Sequence, residues 1–231
     1  MQQCTALASG SLQPAERRRL SMSSPRMNDE LENFAATVRT CRICVENPVG
    51  RPLPHEPRPV LRPSSSARIL IASQAPGTKV HVSGMPFTDA SGDRLRNWLG
   101  VNSEEFYDTT KFAIVPMGFC FPGQDAKSGD LPPRRECAPA WRAPLMALMP
   151  QVDLVLTIGL YAQSWHLGAA RRPSLTETVM NWRTIWDAPG NPKVLPLPHP
   201  SWRNTGWLKR NPWFEMDLLP FLRSEIRYRL G

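Results

Sequence analysis

The stretch Arg68–Phe87, RILIASQAPGTKVHVSGMPF, decides the fold. Its apolar run Ile69-Leu70-Ile71-Ala72 is short and bounded by breakers, the pattern of a strand buried on both faces of a parallel sheet. The chain leaves that run through Ser73-Gln74-Ala75-Pro76-Gly77 and breaks again at Gly84-Met85-Pro86-Phe87. In open α/β sheets, ligands lie outside the carboxyl ends of the strands, so this loop is the first place to look for a site. A purely structural turn is the other reading of the same residues.

Three further runs read as strands: Phe112–Met117, Asp153–Ile158 and Val194–Leu197. Between and around them lie helical patterns. Asn28–Arg39 has a capping Asn and one apolar face, and Asp89 or Ser91 caps a helix through Leu99. Glu136–Met149, a segment beginning at Gly159, Leu175–Trp182 and Trp213–Arg229 follow, the last with a kink expected at Pro220. Strands that alternate with helices in this way predict an α/β fold. The expected form is a three-layer α/β/α sandwich around a central four-stranded, mainly parallel sheet. Val45–Ser66 is rich in proline and reads as an extended connection. Residues 1–27 are Ser- and Arg-rich without apolar period and read as a disordered basic extension, leaving 28–231 as the folded domain.

A formal net charge of +8 and a pI of about 9.7 favour an anionic partner such as nucleic acid. No apolar run is long enough to span a membrane, and Arg17-Arg18-Arg19 precedes no secretory h-region, so a cytoplasmic protein is expected. In that compartment cysteines point to metal or redox chemistry rather than disulfides. Cys41 and Cys44 stand two residues apart; Cys120 and Cys137 lie far downstream. Four thiolates suit an iron–sulfur cluster or zinc, and spacing alone favours neither.

Two motifs and the cysteine pattern then coincide. Ala75-Pro76-Gly77 followed six residues later by Gly84-Met85-Pro86-Phe87 resembles motif A of the iron–sulfur, family 4 uracil-DNA glycosylases. His199-Pro200-Ser201 resembles motif B of the uracil-DNA glycosylase superfamily, and its continuation to Asn204, HPSWRN, is similar to that of the single-strand-selective monofunctional uracil glycosylases. Cys41-x2-Cys44 with Cys120-x16-Cys137 is similar to the cluster ligands of the iron–sulfur group. The resemblance runs from about Cys41 to the last helix.

What it implies is a DNA-repair hydrolase that flips a uracil, or another deaminated base, out of DNA and leaves an abasic site. His199 would donate to the departing base, and Phe87 would stack on it unless it is an ordinary core residue. Gly77 and Gly84 would let backbone approach the nucleotide. Ser201 would meet a phosphate, and Trp202 and Arg203 would wedge into the gap left by the base. Lys209 and Arg210 continue a basic segment toward DNA; Trp207 and Trp213, interleaved with it, read equally as DNA contacts or packing residues. The resemblance favours a [4Fe–4S] cluster on the four cysteines, with zinc or no metal as alternatives.

Two departures bear on the chemistry. Ala75 stands where highly active superfamily members place a water-orienting Asp. Gln74 stands where the iron–sulfur group carries a Glu; as a catalytic residue its amide can orient a water or stabilise charge, but it cannot act as a base. Pro116 occupies the slot of a base-reading Asn, so recognition falls to Gln74, Asn204 or backbone groups. His81 and Asp89 are spare candidates. The competing function is a protein of the same fold that holds uracil or an abasic site with little turnover.

Overall fold

The computed structural model describes residues 25–126 and 129–231. The proposed N-terminal extension lies outside the described residues up to residue 24; Pro25–Met27 already belong to the first helix. In chain order, α1 (Pro25–Arg39) and α2 (Ile43–Glu46) precede β1 (Ile69–Ala72). Then come α3 (Thr78–Ser83), α4 (Ala90–Leu99), α5 (Ser103–Tyr107) and β2 (Phe112–Ile114). Next are α6 (Cys137–Ala147), β3 (Leu154–Ile158), α7 (Leu160–Leu167), α8 (Leu175–Met180) and α9 (Trp182–Asp187). The chain closes with β4 (Lys193–Leu197), α10 (Thr205–Arg210) and α11 (Leu219–Leu230).

The four strands form one sheet in the order β2-β1-β3-β4, every pair parallel. Register sets Ile71 beside Ile114 on one side and Leu156 on the other. Alternation then sorts side chains to two faces. Ile69 and Ile71 join Leu95, Trp98, Phe214 and Leu222 in one core, while Leu70 and Ala72 join Leu31, Leu145 and Ala162 in the other. Both faces are thus covered by helices, and the sandwich expected from the alternation is what forms.

The differences from the sequence reading have local causes. β2 stops at Ile114 rather than Met117 because Pro116 has no N–H for the ladder, although Val115 and Met117 still donate to Ile71 and Ser73 at 3.0 and 2.8 Å. The Leu175–Trp182 segment is two helices that meet at Asn181. A wide π turn, Phe214–Leu218, precedes α11, and Pro220 lies in that helix's first turn, where a missing N–H has no intrahelical partner to lose. The Pro-rich connection runs along the β2 edge, where Arg62 and Ile114 exchange two 2.8 Å backbone hydrogen bonds and so cover an edge strand.

Among the described residues one charged side chain is fully buried. Arg142, on α6, donates from Nη1 to the carbonyls of Val115 (2.5 Å) and Pro116 (3.1 Å), and its Nη2 lies 2.7 Å from His166 Nε2 on α7. Burial lowers the guanidinium to about 9, still charged at neutral pH. Burial, with Arg142 beside it, lowers His166 from 6.5 to about 3, so the imidazole stays neutral and accepts. The unfolded imidazole takes up a proton in that range and the folded one does not, so stability is expected to fall as pH drops from about 6.5 toward 3. His166→Gln should flatten the slope by up to ~1.4 kcal/mol per pH unit, read from urea melts across that range. Ile71→Ala, at the centre of the sheet, should cost ~2–5 kcal/mol in the same melts.

Candidate functional site

Because all strands are parallel, the loops after β1 and β4 leave the same edge of the sheet. After β1, the Gln74 carbonyl accepts from Gly118 N at 2.9 Å, which fixes the start of the first loop. The loop then winds into α3, a helix that its sequence pattern did not announce. Gly84 ends α3 with φ +72, and a Cβ there would lie 2.9 Å from Arg58 Nη2. Arg58 also donates to the α3 carbonyls of His81 and Val82 at 2.7 and 2.8 Å. Gly84 is therefore suited to the helix cap and to the close approach of Arg58.

Phe87 has φ +58, a strained conformation for a bulky side chain and worth ~1–3 kcal/mol. Its surroundings impose it. The Phe87 carbonyl accepts from Tyr107 Oη (3.0 Å) and Arg96 Nη1 (3.3 Å), and the Tyr107 hydroxyl also donates to Pro86 O at 2.8 Å in an alternative arrangement. Gly92 of α4 packs so closely that a Cβ there would sit 1.8 Å from the Phe87 carbonyl oxygen. The Phe87 ring is buried, edge-on to Phe106 at 5.9 Å. It is thus part of the core as well as the residue that ends the first loop.

After β4, His199 lies against Gly159 at the carboxyl end of β3; a Cβ on Gly159 would be 4.0 Å from His199 Cβ. Asn204 Nδ2 donates to the His199 carbonyl at 2.7 Å, and Ser201 Oγ accepts from Arg203 N at 3.3 Å. The turn is therefore held from within. Burial pushes the His199 imidazole below the usual histidine range, and the nearby carboxylates of Asp89 and Asp130 oppose that shift. A neutral imidazole at neutral pH results. Arg94, on the helix that follows the first loop, donates from Nη1 to Ser201 O at 2.8 Å and from Nη2 to Thr205 Oγ1 at 3.3 Å. That pair ties the two loops into one site.

The candidate residues divide. Gln74, Ala75, Gly77, Phe87, His199, Ser201 and Asn204 gather at this edge. The Asn204 amide nitrogen is engaged by the turn, and the N–H groups of Met117 and Gly118 are engaged by Ser73 and Gln74 at the start of the first loop, whereas the Gln74 side-chain amide makes no hydrogen bond among the described residues. Pro116 is buried with its carbonyl turned to Arg142. Trp202 is 72% exposed at the tip of the turn, with the Arg203 guanidinium 5.7 Å from its ring. Lys209 and Arg210 are exposed on α10. Trp207 and Trp213 resolve as packing residues: Trp207 Nε1 donates to Thr176 Oγ1 at 2.8 Å, Trp213 Nε1 to Asn211 Oδ1 at 3.2 Å, and both rings meet Phe214. His81 packs its ring against His55 and Phe121. Arg94, Tyr107 and Asp130 were not singled out from the sequence, since each acts through tertiary contacts that no local spacing encodes.

The four cysteines come together elsewhere, on the side of the sheet's second core. Cys41, Cys44, Cys120 and Cys137 line one small cavity with Phe119 and Trp141, and all four are free thiols. Trp141 Nε1 donates to Cys41 Sγ at 3.2 Å and Phe119 N to Cys137 Sγ at 3.3 Å. Burial pushes Cys120 and Cys137 up to about 12, helped by the neighbouring thiols. Among the described residues no three His, Cys, Asp or Glu side chains converge on a single ion.

A parallel α/β/α sandwich with a glycine-punctuated loop and a neutral, half-buried histidine at the same edge of the sheet is the arrangement in which α/β proteins place ligand sites. A family model described as the uracil DNA glycosylase superfamily matches residues 60–223, and the chain belongs to that superfamily. Gly92→Ala tests the geometry directly. It should dislodge the Phe87 peptide and lower stability by ~1–3 kcal/mol, as overpacking does, with the aromatic near-UV signal changing in parallel.

Proposed function

We propose that this protein is a DNA glycosylase that hydrolyses the N-glycosidic bond of uracil, and of other deaminated bases, in DNA. The observation that carries the reading is the Arg94–Ser201 bond, which joins α4, the helix following the loop after β1, to the His199 turn. At that edge of the sheet a flipped base would be held between Phe87 and the His199 side. As the bond to the sugar breaks, negative charge moves onto the base. A neutral imidazole that is already oriented donates to it without reorganising, in the manner of an oxyanion hole. Burial of His199 supports the neutral form. Gln74, with its amide unengaged, is the side chain best suited to read the base edge. The absence of an Asn at Pro116 supports a tolerance for bases beyond uracil.

Contacts to DNA follow from exposure and charge. The Ser201 hydroxyl accepts from Arg203 N and keeps its proton for a phosphate oxygen. Exposed Trp202, with Arg203 beside it, is suited to fill the stack vacated by the base. Lys209 and Arg210 extend the positive surface.

The cysteines support placement in the iron–sulfur group. Four free thiols around one cavity, two of them accepting N–H bonds, suit a [4Fe–4S] cluster, in which each thiolate takes its own iron. Fully buried Arg142 adds positive charge on the same side and is electrostatically coupled to Cys137, which favours an anionic group there. When bound, such a cluster would staple α1, the Pro-rich connection and the loop after β2. Zinc is the other metal the donors accept.

The glycosylase reading is checked by incubating the protein with single- and double-stranded uracil oligonucleotides and cleaving abasic sites with alkali. Scission is expected, with His199→Ala reduced ~100-fold or more. A stable shifted complex without scission would point to the binding protein instead. Trp202→Ala should weaken binding by ~1–3 kcal/mol, with binding falling steeply as salt rises. Iron and acid-labile sulfide analysis of anaerobically purified protein should find both; a protein holding zinc alone would overturn the cluster.

A further inference from the structure

The loop after β1 carries no carboxylate, since Ala75 and Gln74 fill the relevant positions, yet a carboxylate reaches that loop from another part of the chain. We propose that Asp130, from the loop between β2 and α6, is the catalytic base that takes a proton from the attacking water. The assignment rests on the glycosylase reading above.

The geometry has three parts. Asp130 Oδ2 lies 3.1 Å from where a Cβ on Gly77 would be, so the carboxylate rests directly on the Ala75-Pro76-Gly77 turn. Asp130 is one of two acids close enough to act on the His199 imidazole. The other, Asp89, caps α4 by accepting from Gly92 N at 3.3 Å. Asp130 caps no helix. Its Oδ1 accepts a long 3.4 Å bond from Gln124 Nε2, and Oδ2 is left toward Gly77.

The carboxylate is also held in place. Gln124 and Asp130 pair as an antiparallel bridge, and Leu131 N donates to Gly123 O at 2.9 Å. Asp125 N donates to Gly129 O at 2.8 Å, and Gly129 N returns a 2.8 Å bond to Asp125 Oδ1. A few residues on, Pro133 packs on Gly118, which also touches Ala75. The side chain is exposed, as a group that must return its proton to solvent after each turnover has to be.

The step balances. The C1′–N bond breaks and its electron pair leaves on the base, facing His199. The water oxygen bonds to C1′ and one of its protons passes to the Asp130 carboxylate, which later releases it to solvent. Before attack, the same negative charge faces the cation-like sugar, as carboxylates do in other glycoside hydrolases.

The test is single-turnover cleavage of a uracil oligonucleotide as a function of pH by the full chain, its Asp130→Asn and Asp130→Glu variants, and Asp89→Asn. Binding to abasic-site DNA is measured alongside. Asp130→Asn should lose ~100-fold or more in rate, the scale of general-base catalysis, and lose the acid limb of the profile while binding stays within about twofold. Asp130→Glu should recover part of the rate and the limb. An Asp130→Asn protein that cleaves at the wild-type rate, or keeps the acid limb, overturns the assignment and leaves the glycosylase reading standing. A wild type that cleaves no base overturns both.

Discussion

Parallel pairing through the order β2-β1-β3-β4 sends every strand's carboxyl end to one edge, and the rest of the molecule is arranged around that fact. The loop after β1 and the turn after β4 are separated by about half the chain, but the sheet brings both to the same edge. What remained for side chains was to lock the meeting. Arg94 does so with bonds to Ser201 and Thr205. Gly159, at the end of β3, takes the positive φ of +81 with which the chain turns away beside His199.

Within that frame the site is stiff and its charges are placed before any ligand arrives. The Phe87 peptide is held in an unfavourable conformation by Tyr107, Arg96 and the bare Cα of Gly92. The His199 imidazole is kept neutral by burial, against the pull of two carboxylates. On the opposite core, Arg142 fastens α6 to the end of β2 through two carbonyls. The helix that bears Cys137 is therefore joined to the strand end whose next residues run beside the first loop.

The strands and the two loops were legible in the sequence because buried parallel strands are written as short apolar runs, and because APG, GMPF and HPS are local patterns. The limits were equally physical. α3 is a helix of six residues without an apolar stripe, so no periodicity could reveal it. Pro220 reads as a kink from sequence, but the same proline suits a first turn once the preceding π turn is known. Trp207 and Trp213 lie among basic residues, and only their indole partners show that they pack. Arg142 looks like a solvated helix residue until its carbonyl partners are seen. Asp130 stands in a loop with no period at all, and its neighbour Gly77 is 53 positions away, as the two residue numbers show. Charged groups whose role is set by a distant backbone leave no trace in spacing.

The ring stack of His55, His81 and Phe121 gives the Pro-rich connection a place in the architecture that its composition hides. His55 comes from the connection, His81 from α3, and Phe121 from the residue after Cys120. Arg58 of the same connection closes the end of α3. The linker, the helix inside the first loop and the cysteine-bearing loop are therefore one mechanical piece. Anyone transplanting this site onto another sandwich would have to carry all three segments together. A graft of the motif loops alone would arrive without its buttress.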